Sequence, residues 1–158
     1  MHSLSSQAAP ATLPDVGYSF ESGGRTISEA DIVQFAGLSG DFNRLHVDAE
    51  YAKSTRFEQR IAHGLLVLSV LSGLTTQTLA YRGLEPQVLA LIDLNCRFPK
   101  PTFIGDTVHA RVTVTERVAD TRPGRVKMVF RREAVNQRGE VVAQADFAML
   151  MREPGAAA

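Results

Sequence analysis

A carboxylate and an imidazole stand five residues apart in Leu38-Ser39-Gly40-Asp41-Phe42-Asn43-Arg44-Leu45-His46-Val47-Asp48, with Gly40 free to bend the chain that carries them. Asp41 and His46 turned into one pocket would be the minimum equipment for moving a proton on and off water near neutral pH. The same residues also suit a plain turn, because Asp and Asn side chains readily bond their own backbone. A second cluster, Ile61-Ala62-His63-Gly64-Leu65-Leu66, sits where polar chain becomes apolar. A helix starting there leaves backbone N–H groups unpaired, and together with the helix dipole they favour a developing negative oxygen. Gly64 would let a carbonyl approach that backbone; alternatively, His63 and Gly64 only cap the helix.

Other chemistries fit less well. Gly37-Leu38-Ser39-Gly40-Asp41 lacks the closing glycine of a nucleophile elbow and follows a helical pattern rather than a strand. His46, Asp48 and His63 could be drawn around a metal, but no His-x-x-x-His or Glu-x-x-His spacing on a helix supports one, so no metal is expected. No glycine-rich phosphate loop is present, which argues against nucleotide-dependent chemistry. His2 falls in a terminal segment and His109 within a strand pattern; neither is given a role.

The elements that must position these residues can be read from periodicity. Ser28, with Asp31 three residues later, marks a helix start, and Ile32, Phe35 and Ala36 make residues 29–38 a short amphipathic helix. Residues 38–46 then read as a loop, and Asp48 could cap a short helix over 49–53. From His63 to about Ala80 the apolar residues Leu65, Leu66, Leu68, Val70, Leu71 and Leu74 leave almost no polar face. A helix apolar all round in a globular protein is buried. Gly83 and Pro86 are expected to end it.

The second half alternates. Val88, Ala90, Ile92, Leu94, Cys96 and Phe98 share one face of a long strand, which is expected to be the buried face, with Cys96 a buried thiol. Pro99 and Pro101 break that strand, and Gly105-Asp106 turns the chain. Strands near 107–119, 125–135 and 140–151 follow, separated by hairpin turns at Pro123-Gly124 and Arg138-Gly139. Helices first and four antiparallel strands after is the segregated order of an α+β domain, with the apolar helix laid across the sheet.

With 158 residues, 44% hydrophobic and 22% charged, the chain suits one globular domain over 15–152. A disordered tail is expected at 1–14, rich in Ala, Ser and Pro, and a flexible one at 153–158. Lys plus Arg equals Asp plus Glu. A neutral total gives no electrostatic reason to expect nucleic acid or a membrane surface as partner, and it favours self-association. A single cysteine excludes an intrachain disulfide and a cysteine-built zinc site. The N-terminal segment lacks the features of a secretory signal, and the apolar run from Gly64 to Leu74 is too short to span a bilayer. A cytoplasmic protein is expected.

The run Ser39-Gly40-Asp41-x-Asn43-x-x-His46, followed by Ala62-His63-Gly64 opening an apolar helix, resembles the MaoC-like family of hydratases and dehydratases, which includes (R)-specific enoyl-CoA hydratases. Arg97-Phe98-Pro99-Lys100-Pro101 with Gly105-Asp106-x-Val108 looks like the family's strand connection, and the resemblance runs from about Thr26 to Met151. It implies a hotdog fold, a long antiparallel sheet wrapped around one central helix. It also implies that Asp41 and His46 activate water for attack on C3 of a trans-2-enoyl-CoA, and that the Gly64 N–H polarises the thioester carbonyl. Asn43, Ser72 and His63 would support that pair. No cofactor is implied, since the thioester itself acidifies the α-carbon, and the expected assembly is a homodimer or higher homo-oligomer with the pocket at the subunit boundary. Arg44 and Arg60 replace prolines common in related sequences, and are expected to contact an anionic part of the ligand. Two rival readings are a hotdog acyl-CoA thioesterase and a non-catalytic module that only binds acyl thioesters.

Overall fold

The computed structural model describes residues 12–155. Two short strands, β1 (Ser19–Glu21) and β2 (Arg25–Thr26), precede α1 (Glu29–Ser39). Sequence periodicity did not reveal either strand, since each is too short to show alternation. The start of α1 is a reciprocal cap: Ser28 Oγ accepts from the Asp31 N–H at 3.2 Å and the Asp31 carboxylate accepts from the Ser28 N–H at 2.8 Å. Two one-turn helices follow, α2 (Arg44–Val47) and α3 (Ala49–Lys53). His46 therefore stands on a helical turn inside the segment expected to be loop.

The central helix, α4 (Gly64–Thr76), buries Leu66, Val67, Val70, Leu71 and Leu74. Each such side chain contributes on the order of 1.5–3 kcal/mol when withdrawn from water. The expected continuous helix to Ala80 is in fact two, because Thr78 starts α5 (Leu79–Leu84) by accepting the Tyr81 N–H at 3.1 Å, and the chain turns by 71°. A 3-10 turn containing Pro86 then leads into the sheet. Among the described residues no single helix is long and apolar enough to cross a membrane.

Four long strands complete the chain: β3 (Val88–Arg97), β4 (Thr107–Ala119), β5 (Arg125–Asn136) and β6 (Val141–Arg152). They pair antiparallel in the order β1-β4-β5-β6-β3, with β2 also on β4. Gly124 and Gly139, at φ 74° and 76°, take the left-handed geometry that closes the two hairpins. Helix α4 packs on β4, β5 and β6. The sheet face beneath it carries Val108, Ala110 and Val112 from β4, Val126, Met128, Phe130 and Ala134 from β5, and Ala143, Ala145 and Phe147 from β6, all buried. One charged side chain, Arg132, interrupts the β5 row.

Two expectations require correction. The apolar face of β3 is not buried in the single chain: Ile92 is 51% exposed and Leu94 40%, and Leu91, which a register shift brings onto the same face as Leu94, is 49% exposed. The strand lies at the sheet edge, beyond the strands on which α4 packs, and register shifts at Val88/Ala90 and Leu91/Asp93 interrupt its alternation. Cys96 is accordingly half-buried, and burial pushes its thiol up. The fold also begins before residue 15, because Leu13 is 3% exposed within the core, and it runs past 152, where the Glu153 N–H donates to Gly124 O at 2.9 Å. The remaining tail positions, 1–11 and 156–158, lie outside the described residues.

Candidate active site

The Asp41 loop is built by the way α1 ends. Gly40 takes the left-handed conformation, φ 76°, and its N–H closes on Ala36 O at 2.9 Å, so the chain reverses there and presents Asp41. Asp41 Oδ1 accepts from the Asn43 N–H at 3.2 Å, and Asn43 Oδ1 accepts from the Leu45 N–H at 3.0 Å, which starts α2. Asn43 thus shapes the loop by these two bonds. The turn reading and the catalytic reading describe the same bonds: the Asx turns are what place His46 one helical turn beyond the carboxylate.

His46 Nδ1 lies 2.8 Å from Ile61 O. A carbonyl only accepts, so in the neutral ring Nδ1 carries the proton and Nε2 keeps the lone pair of a base. Ile61 bridges to Phe103, and the Ala62 N–H donates to Thr102 O at 2.8 Å, so the strand connection anchors this segment. His63 is 2% exposed, and its Nε2 lies 2.9 Å from Asp41 O, while its Nδ1 has no partner among the described residues. Its ring stacks on His46 at 3.9 Å between centroids, with planes 30° apart, and meets Phe35 on the other side at 5.0 Å. His63 therefore joins both proposed proton carriers: it stacks on one and holds the backbone of the other.

The helix start supplies the third component. His63 makes no side-chain cap, so the first N–H groups of α4 are not satisfied by a cap. Gly64 and His46 line one cleft of ≈ 230 Å³, together with Ala62, Val67, Phe98 and Thr102. A Cβ on Gly64 would fall 2.9 Å from the Phe98 ring, so a larger residue there would have to displace that half-exposed side chain. Asp41 stands exposed beside the cleft, and donor atoms of Asp41, His46 and His63 all lie within 4.8 Å of one another. That trio could also hold a cation, a grouping that sequence spacing did not disclose because two segments distant in the chain build it.

Not every expected residue reaches the cleft. Ser72 is half-buried on α4 and does not line it. Arg44 pairs with Asp48 at 2.9 Å and lies 4.4 Å over the Tyr51 ring; Arg60 pairs with Glu29 at 2.6 Å. Neither lines the cleft, whereas Arg56 and Lys100 do. Lys100 was visible only as part of a Pro-Lys-Pro connection, and Arg56 carried no local signal.

Residues 12–138 match the family model described as "MaoC like domain". An (R)-specific enoyl-CoA hydratase from Rhodospirillum rubrum is 37% identical over 131 residues, 83% of this chain and 84% of that protein. Among solved structures, an Archaeoglobus monoamine oxidase regulatory protein superposes with a TM-score of 0.83 at 37% identity, covering 89% of this chain and 92% of its own. The (R)-hydratase of A. caviae involved in PHA biosynthesis superposes at 0.66 and 30% identity, covering 89% and 98%.

Proposed function

This chain belongs to the MaoC-like family and has its hotdog fold, and from that premise we propose that it catalyses the reversible addition of water to a trans-2-enoyl-CoA, giving the (R)-3-hydroxyacyl thioester. The observation that carries the reading is that His46 and the Gly64 helix start line one cleft, with Asp41 beside them within 4.8 Å of His46. Water held between Asp41 and His46 loses a proton to His46 Nε2, and its oxygen bonds to C3. The π pair of C2=C3 moves toward the thioester carbonyl, whose growing negative charge meets the Gly64 N–H and the positive end of α4. As the enolate collapses, the acid–base pair returns a proton to C2. Hydroxyl and proton are added in sum, nothing is oxidised, and the route needs neither metal nor redox cofactor.

Two further assignments support this reading. Arg56, at the cleft, suits the phosphates of coenzyme A, while Lys100 beside it is engaged by Glu140 at 2.6 Å. The unpaired outer edge of β3, with Leu91, Ile92 and Leu94 exposed, suits edge-to-edge pairing with a second copy, giving a homodimer.

Loss of absorbance at the enoyl band, with chiral analysis of the product, tests the reaction. Proton transfer by a positioned group contributes about 10²–10⁴-fold, so Asp41→Asn and His46→Gln should each lower kcat at least about a hundredfold while remaining folded. Folded variants with near-normal turnover would remove both residues from the mechanism. Release of free thiol instead of hydration would make the protein a thioesterase, and binding without either reaction would make it a carrier module.

A further inference from the structure

Asp106 stands outside the cleft, yet a continuous run of hydrogen bonds joins it to His46. Gly105, at φ 93°, turns the chain so that the Asp106 carboxylate folds back on Phe103. The Asp106 N–H donates to Phe103 O at 3.0 Å, and the Phe103 N–H donates to Asp106 Oδ2 at 2.9 Å. That second N–H belongs to the peptide group whose carbonyl is Thr102 O, which accepts from the Ala62 N–H at 2.8 Å. The Ala62 N–H in turn shares a peptide group with Ile61 O, which accepts from His46 Nδ1–H at 2.8 Å. A carboxylate and an imidazole are therefore connected through two peptide groups, each donating at one end and accepting at the other.

The middle of this run is withheld from water, since Ala62, Thr102 and Asp106 are all buried. In such surroundings hydrogen bonds in series polarise one another. Negative charge on Asp106 draws the Phe103 proton and leaves Thr102 O richer in electrons. Thr102 O then does the same to the Ala62 N–H, and Ile61 O becomes a stronger acceptor than an isolated carbonyl. That carbonyl sets which ring nitrogen of His46 carries the proton. Burial works to raise the Asp106 carboxyl, but the Phe103 N–H, Arg138 and Gln137 hold it below its usual value, so it is ionised at neutral pH. Arg138 Nη1, 3.0 Å from Asp106 Oδ1, opposes the pull along the run.

We infer that Asp106 is a positioning residue for the proposed hydration: through the two peptide groups it holds His46 with Nδ1 protonated and Nε2 left as the acceptor. Its effect on rate rests on the hydratase reading above; the relay of charge to the ring does not. A carboxylate that only closed the turn at Phe103–Asp106 would act on His46 by loosening the structure and not through its charge.

Heteronuclear NMR of the labelled full-length protein, at one fixed pH, reads the ring directly. The unmodified protein should show a single His46 tautomer with a hydrogen-bonded Nδ1–H. Asp106→Asn keeps an acceptor for the Phe103 N–H but removes the charge, and should move that ring proton upfield. Arg138→Met, on an exposed hairpin turn, removes the opposing cation and should move it downfield. Opposite movements support a relayed charge, whereas loosening would move both upfield. In hydration of but-2-enoyl-CoA, Asp106→Ala should lose about tenfold to a hundredfold in kcat with little change in KM, and Asp106→Asn should recover part of that loss. Unmoved ring signals in folded Asp106→Asn and Arg138→Met overturn the relay, as does a folded Asp106→Ala protein with normal kcat. Should the Asp106 variants fail to fold, Arg138→Met decides: downfield movement supports the assignment, and upfield movement or none overturns it. Absence of hydration by the unmodified protein removes the hydratase reading and the rate effect with it, while the ring signals still decide the relay.

Discussion

Replacing His63 separates what holds the site together from what holds the protein together. The residue is 2% exposed, stacked at 3.9 Å on His46 and 5.0 Å from Phe35, with one nitrogen on Asp41 O at 2.9 Å and the other unpartnered. His63→Phe keeps an aromatic ring between those neighbours. It loses one hydrogen bond, a net cost of about 1 kcal/mol, but removes a buried nitrogen whose lack of a partner costs about 1–3 kcal/mol. The larger ring adds roughly 1 kcal/mol of crowding. These contributions nearly cancel, so the melting temperature should move by only a few degrees, at about 2–4 °C per kcal/mol for a chain of this size. Catalysis should not be spared, because the Asp41 backbone loses its tether, and a misplacement of about 1 Å at a reacting group costs up to 10²-fold. We expect kcat to fall about tenfold to a hundredfold with KM little changed, since His63 does not line the cleft. His63→Gln carries a donor near the Nε2 position and fills the space poorly, so it should be the less stable and the more active variant. Differential scanning fluorimetry beside initial-rate kinetics reads both quantities. A His63→Phe protein of unchanged stability and unchanged kcat would refute the tether.

The remaining predictions use the same protein. Arg56→Ala should raise KM severalfold for CoA thioesters but not for thioesters of pantetheine, while Arg44→Ala, which removes a solvent-exposed pair with Asp48, should change stability by no more than about 1 kcal/mol and leave KM alone. Burial works to raise the Asp106 carboxyl, but the Phe103 N–H, Arg138 and Gln137 together hold it below the usual carboxylate value. A carboxylate depressed by folding stabilises above its unfolded value and loses that contribution as pH falls through the folded one. The melting-temperature deficit of Asp106→Asn should therefore be full at neutral pH and shrink below about pH 4. A deficit independent of pH would contradict the assignment. Leu91→Lys, on the exposed edge strand, should shift the proposed dimer to monomer in light scattering.

Much of this architecture was legible in the sequence because its signals are local. The cap at Ser28, the apolar run of α4 and the alternation of β4 to β6 each lie within one element, and the structure places those elements at or near the expected positions. The proposed acid–base loop was legible for the same reason: Gly40, Asp41, Asn43 and His46 are held by bonds spanning two to four residues. What escaped depends on neighbours distant in the chain. Alternation in β3 identified a strand, but two register shifts break the face it implied, and burial depends on where α4 packs, which periodicity does not encode. Arg44 and Arg60 drew attention because they flank the loops, yet Asp48 and Glu29 engage them.

Both histidines of the site bond a backbone carbonyl rather than a carboxylate, and this bears on how the proposed chemistry is divided. An imidazole bonded to a carboxylate through its far nitrogen is made more basic and more easily kept protonated. A carbonyl fixes the tautomer with a weaker pull, because it is neutral. With Nδ1 on Ile61 O, His46 presents Nε2 as an acceptor to the cleft, which suits a group that must take a proton from water and give it back. The carboxylate of Asp41 accepts the Asn43 N–H and is otherwise open to solvent. Hydration and dehydration share one transition state, so a pair that can reset from either side is what reversible addition of water requires.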